Sequence, residues 1–185
     1  MPLLVQQNVD GSDSFNRSWA EFKTGFSDAN GNYWLGNDLL HELTRTGRYK
    51  LRFDLHKHDS DVWYYAEYSS FAVLAETYNY KLHVSGYSGS TGYDALSTHN
   101  GMMFTTYDRD NDPWTNAQYR DNCAVLNGGG FWWSNYLGFC GSCDVNAVRG
   151  GAEDFSWDLS RGQIKLHTSR MWLQCKYPAG NDPHH

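Results

Sequence analysis

The chain has 185 residues, a net charge of −6, and 8 Trp, 13 Tyr and 9 Phe. Its length supports one domain with a core of large flat side chains, its acidic balance argues against a nucleic-acid surface, and no apolar run is long enough to span a membrane. The 18 glycines are scattered without repeat or low-complexity runs, which points to many turns and few long helices.

The opening residues, "MPLLVQQ", lack a basic start and a long apolar stretch, so they do not read as a secretory leader. Met1 and His184-His185 read as added ends. Between Ser12 and Phe26, Phe15, Trp19, Phe22 and Phe26 recur at spacings of four, three and four. This is the apolar face of a helix, with Ser12 or Ser14 as its cap and Gly25 as its end. The glycosylation sequon Asn16-Arg17-Ser18 falls on that helix and carries little weight there. "GNDLLHELTRTG", residues 36–47, predicts a second short helix capped by Asn37 or Asp38 and stopped by Gly47. The period then changes. Tyr49, Leu51, Phe53 and Leu55 alternate with Lys50, Arg52, Asp54 and His56, the pattern of a strand with one buried face. Residues 61–74 and 78–87 continue as strands.

From Gly86 to Gly151 regular patterning fades. An irregular stretch of that length inside one domain is usually functional or cross-linked. Residues 164–168 and 170–178 alternate again, with Met171, Leu173 and Cys175 on one face. The expected fold is α+β, a mostly antiparallel sheet with short helices and a long irregular lobe inserted before the last strand. Residues 1–185 form one domain, the sheet and helices at about 1–85 and 155–178 and the lobe at about 86–154.

Within the lobe, Asp108, Asp110 and Asp112 alternate. Carboxylates so close raise one another's cost of ionisation, which a bound cation removes. Hard oxygen ligands on a flexible loop suit Ca²⁺ better than Mg²⁺. An EF-hand is excluded, because its glycine position holds Pro113 and its final glutamate position holds Tyr119.

The cysteines are Cys123, Cys140, Cys143 and Cys175. A zinc reading of "CGSC" wants a second close pair that neither Cys123 nor Cys175 supplies. A redox reading wants a strand-to-helix setting rather than a glycine-rich loop. Structural disulfides in an extracellular protein fit best, with three pairings open. "GYSGSTG" lacks the last glycine of a nucleophile elbow. His56 and His58 share one strand face beside Asp59 but have no third ligand near in sequence, so they read as surface residues. His83, His99 and His167 read as hydrogen-bonded structural residues. No constellation supports catalysis.

Several stretches together resemble the fibrinogen-related domain, the recognition module of ficolins, tachylectins and fibrinogen C-terminal lobes. They are "VDGSDSFNRSWAEFKTGF", "YWLGNDLLHELTRTGRYKLRFDL" and "HVSGYSGSTGYDALSTHNGMMFTTYDRDND", followed in order by "NCAV" and "FWW". The resemblance covers nearly all of the chain. It implies a secreted, calcium-containing, disulfide-bonded domain that binds ligands without catalysis, and lacks the family's N-terminal subdomain.

It also implies residue roles. Asp110 and Asp112 would be side-chain calcium ligands, Trp114 a carbonyl ligand and Asn116 the fourth, with Asp108 an outer-shell or turn residue. The family's Cys pair maps onto Cys123 and, by the length of the following segment, Cys143. Cys140 would then pair with Cys175, and the Ser142–Cys143 bond would be the cis peptide that aims backbone N–H groups at a ligand. A Cys123–Cys140 pairing stays open. The pocket positions are Asn127, Ser142, Cys143, Asp144 and Ala152. The aromatic walls and histidine of acetyl-binding members are missing, and Tyr119, Tyr136 or Phe139 would supply an apolar wall from another direction. Trp132 and Trp133 read as core. The expected function is calcium-dependent, lectin-like pattern recognition in innate immunity, through acetylated or other glycans on microbial surfaces. The oligomeric full-length form would supply avidity. The alternative is a protein-interaction or adhesion module taking a peptide or receptor on the same surface, for which the acidic Asp144 favours a basic peptide.

Overall fold

The structure, a computed structural model, describes residues 1–115 and 121–177. Its centre is an antiparallel sheet. The strands are β1 (Leu3–Asn8), β2 (Phe26–Ser27), β3 (Tyr33–Trp34), β4 (Tyr49–Lys57), β5 (Trp63–Val73), β6 (Leu82–Gly89), β7 (Ser156–Asp158) and β8 (Gln163–Cys175). They lie in the order β2-β3-β1-β8-β4-β5-β6, with β7 pairing the start of β8. The last strand is therefore central, wedged between β1 and β4. The two alternating segments expected at the end of the chain are one continuous strand. Leu51, Phe53 and Leu55 point into the core, as their alternation requires.

The first helical segment is split. A 3₁₀ turn spans Asp13–Phe15, and α1 runs Trp19–Thr24. The cap is Ser18 rather than Ser12 or Ser14, because Glu21 stands three residues on and closes a capping box, its carboxylate accepting from Ser18 N–H at 2.9 Å. Ser12 and Ser14 hydrogen-bond each other instead. Asn16 consequently lies exposed in the turn between the two segments rather than on a helix. α2 runs Asn37–Thr44 with Gly36 before it. Gly25 and Gly36 stand at φ +92° and +108°, and a Cβ on either would meet backbone at 2.6 Å and 2.8 Å respectively, so this junction of the two helices admits only glycine.

Behind the sheet, Phe22, Trp34, Phe104 and Trp132 pack with ring centroids 5.0 to 6.0 Å apart. Trp132 and Trp133 are fully buried, as expected of core residues. This aromatic layer joins the sheet to the lobe, which among the described residues holds a 3₁₀ turn at Leu96–His99 and one short α-helix, α3 (Cys123–Asn127), before β7.

Candidate functional site

Asp108 binds the start of α1. One of its carboxylate oxygens accepts from Trp19 N–H at 2.9 Å and from the Thr106 hydroxyl at 2.7 Å, a turn-bracing role. Asp110 accepts from Asp112 N–H at 3.2 Å. Asp112 accepts from Trp114 N–H and, with its other oxygen, from Cys123 N–H, both at 3.0 Å. Burial, then the charge of Asp110, pushes the Asp112 carboxyl up to about 7. Asn116 and Tyr119 lie outside the described residues. Among the described residues no group of three or more His, Cys, Asp or Glu side chains is placed to hold a metal. The expected calcium set does not require one, since it has two carboxylates and two backbone carbonyls. A desolvated carboxylate beside a second one fits a hard cation.

This loop is tied to the cavity beside it. Trp114 is buried, and its indole N–H donates to Gly138 O at 3.0 Å. Residues 135–139 form an exposed tip, turned by mutual backbone bonds between Tyr136 and Phe139. Tyr136, Leu137 and Phe139, with Tyr93 opposite, form the apolar side of a cavity of about 600 Å³. The apolar wall comes mainly from the tip at 135–139.

The floor is acidic. Asp144, Glu153 and Asp158 all line the cavity. Burial pushes each of the three carboxyls up, and for Asp144 the charge of Glu153 adds to it. Glu153 accepts from Cys140 N–H at 2.7 Å and from the Asn127 amide at 3.2 Å. Asp144 is 1% exposed and accepts from the Ser156 hydroxyl with one oxygen, while the other has no partner. Ser142 and Ala152 line the same cavity, but Cys143 and Asn127 stand behind it.

Two expectations are corrected here. The disulfide joins Cys123 and Cys140, with Cα atoms 5.8 Å apart, while Cys143 is a buried free thiol and Cys175 an exposed one. Cys140 is the residue that faces the start of α3. Cys143 instead pairs its backbone with Trp157, and Cys175 sits at the far end of β8 against Tyr49. The Ser142–Cys143 peptide is trans. Its N–H and that of Ser142 turn away from the cavity, donating to Nε2 of His99 at 3.2 and 3.1 Å. His99 is fully buried and donates its other ring N–H to Trp132 O at 2.8 Å. Burial drops it to about 4, so it stays neutral and can accept both bonds. A Cβ on Gly141 would meet the His99 ring at 2.0 Å, so glycine is needed for this close approach. The sequence reading missed Tyr93, Glu153 and Asp158. The acidic run in "GAEDFSWDLS" was the available signal.

The fold has counterparts among known proteins. The fibrinogen-like globe domain of human ANGPTL2 superposes with a TM-score of 0.82 and 32% identity, covering 95% of this chain and 81% of that one. A lamprey fibrin D-dimer, solved with the peptide ligand Gly-His-Arg-Pro-amide, gives a TM-score of 0.70 at 27% identity, covering 97% of this chain and 64% of the other. Human ficolin-3 is 38% identical over 72% of this chain and 42% of its own length. The chain spans 18% to 42% of the fibrinogen, ficolin and angiopoietin-related chains it matches. Residues 2–172 match the family described as fibrinogen beta and gamma chains, C-terminal globular domain, and the chain belongs to that family.

Proposed function

We propose that this domain is a secreted, non-catalytic recognition module whose cavity takes a positively charged group of a protein or peptide partner. The observation that carries the reading is the convergence of Asp144, Glu153 and Asp158 on one cavity. Each carboxyl is held against ionisation by burial, and Asp144 keeps one oxygen without a partner. A cation would supply both the missing charge and the missing donor. The backbone donors expected to receive an acetyl oxygen are instead held by His99. Tyr136, Leu137 and Phe139 would pack on the apolar part of the ligand. The lamprey neighbour, solved with a peptide that carries a free amino end and an arginine, supports this class of occupant.

Asp110 and Asp112, with the carbonyls of Trp114 and Asn116, would hold Ca²⁺. The cation would supply only charge to the loop. The chain's own Trp114–Gly138 bond would then pass that order to the cavity wall. Secretion fits a chain that closes a disulfide. A glycan is the second reading, favoured by the aromatic rim of Tyr93 and Tyr136 and by the ficolin-3 relative. Binding at one such cavity is weak, and avidity would come from several copies.

Paired resins test this, one bearing primary amines and one the same amines N-acetylated, each run in calcium and in EDTA. Retention on the amine resin alone, eluted by a free basic peptide and weakened in EDTA, is expected. Preferential retention on the acetylated resin would reverse the ranking of the two readings.

A further inference from the structure

The outer face of the sheet carries a second cluster, remote from the cavity. His56 and His58 stand two residues apart near the end of β4. The pairing of β4 with β8 slips there, His56 opposing Thr168 and Lys57 opposing Leu166, so His167 is an extra residue with no partner of its own. Such a bulge re-aims a side chain. It brings the His167 ring to 5.3 Å from His56 and 6.2 Å from His58, centroid to centroid. The third imidazole that the linear sequence does not offer beside His56 and His58 is thus delivered by the neighbouring strand.

Two further features set these rings apart from ordinary surface histidines. Nε2 of His56 is buried and has no hydrogen-bond partner. The ring is pinned on its other side by Trp63, stacked at 4.4 Å and 5° from parallel. Nδ1 of His58 meets the Asp59 carboxylate at 2.7 Å, which leaves its Nε2 for another partner. A carboxylate on the far ring nitrogen is the usual support of a metal-bound histidine. The three rings do not yet aim their nitrogens at one point, in keeping with the absence of a preformed metal group among the described residues.

We propose that His56, His58 and His167 form a three-imidazole site for a borderline divalent transition metal, with Zn²⁺ as the reference ion. Imidazole nitrogens select such ions over Ca²⁺ and Mg²⁺, and three leave a fourth tetrahedral position open to water or to a partner's side chain. Asp59 is the supporting carboxylate. The Arg170 guanidinium lies 5.6 Å from the Trp63 ring centroid, adding nearby positive charge that keeps the affinity modest.

The test is calorimetric titration of the full chain with ZnCl₂, with calcium saturating so that the aspartate loop is occupied. It uses a background of Cys175→Ser, His184→Ala and His185→Ala, alongside the unmodified chain, to remove the exposed thiol and the C-terminal imidazoles as competing ligands. One saturable site of micromolar affinity is expected. It should be lost in His167→Ala, whose exposed position leaves the fold unchanged by circular dichroism, and weakened about tenfold in Asp59→Asn. No saturable binding, or binding unchanged in His167→Ala, would overturn the proposal.

Discussion

His99 shows how one residue settles which chemistry the cavity can do. A neutral imidazole with one donor and one acceptor nitrogen holds Trp132 O on one side and two consecutive N–H groups on the other. Those N–H groups are then unavailable to a ligand, and the cavity presents mainly acceptors. Asp144 is the counterpart. Its carboxyl is raised by burial, so the native state keeps its proton to higher pH than the unfolded chain does. Its stabilising contribution is complete below the ordinary carboxylate value and is lost as pH rises through the native one. Asp144→Asn is therefore expected to match the wild type at pH 4 and to exceed it by about 1–3 kcal/mol at pH 8. Denaturant melts at the two pH values check this, and equal melts at pH 8 would contradict it. None of this was legible from residue type alone. The role of His99 depends on a partner 43 residues away, and Asp144, placed at the pocket by resemblance, gave no sign of its burial or of its unpartnered oxygen.

At the scale of elements, periodicity carried well where strands are long. β4 and β5 and the two halves of β8 follow from alternation over many residues. The two-residue strands β2 and β3 carry too little pattern to be read, and β1 exposes its place only through its pairing with β8. α1 was placed by its aromatic spacing, but its start moved because Ser18 and Glu21 form a better cap than the serines upstream. The cysteines illustrate a limit of a different kind. Cys140 and Cys143 stand three residues apart, and only the path of the chain between Ser134 and Trp157 decides which meets Cys123. The element-scale prediction is a thiol count. One thiol, Cys175, should react in the native protein and two after denaturation without reductant, the second alkylated residue mapping to Cys143 within the 121–149 peptide. Replacing both bridged cysteines by serine should cost about 3 kcal/mol, given a closed loop of 17 residues.

For the whole molecule, the division into an ordered sheet and an irregular lobe was visible as a loss of pattern after Gly86, and the aspartate loop as a carboxylate run. The cavity itself was not, because it is built from Tyr93, the tip at 136–139 and the acids at 144–158, which only the fold brings together. If calcium orders the loop and the loop braces the tip, Asp112→Ala, which also loses the bonds from Trp114 and Cys123 N–H, should lower the melting temperature more in calcium than in chelator. The loss would be about 3 kcal/mol where calcium stands about a hundredfold above its dissociation constant. Thermal melts in the two buffers decide it, and equal shifts in both would count against calcium at this loop.

The charge of the occupant is the central claim, and one titration addresses it. Gly-His-Arg-Pro-amide and its N-acetylated twin would be titrated into the calcium-loaded domain and into its Glu153→Gln variant at pH 8 and pH 5. The account predicts tighter binding of the free-amine peptide, weakening at pH 5 as the raised carboxyls take up protons and weakening again in Glu153→Gln. Equal binding of the two peptides, insensitive to pH and to Glu153, would contradict it.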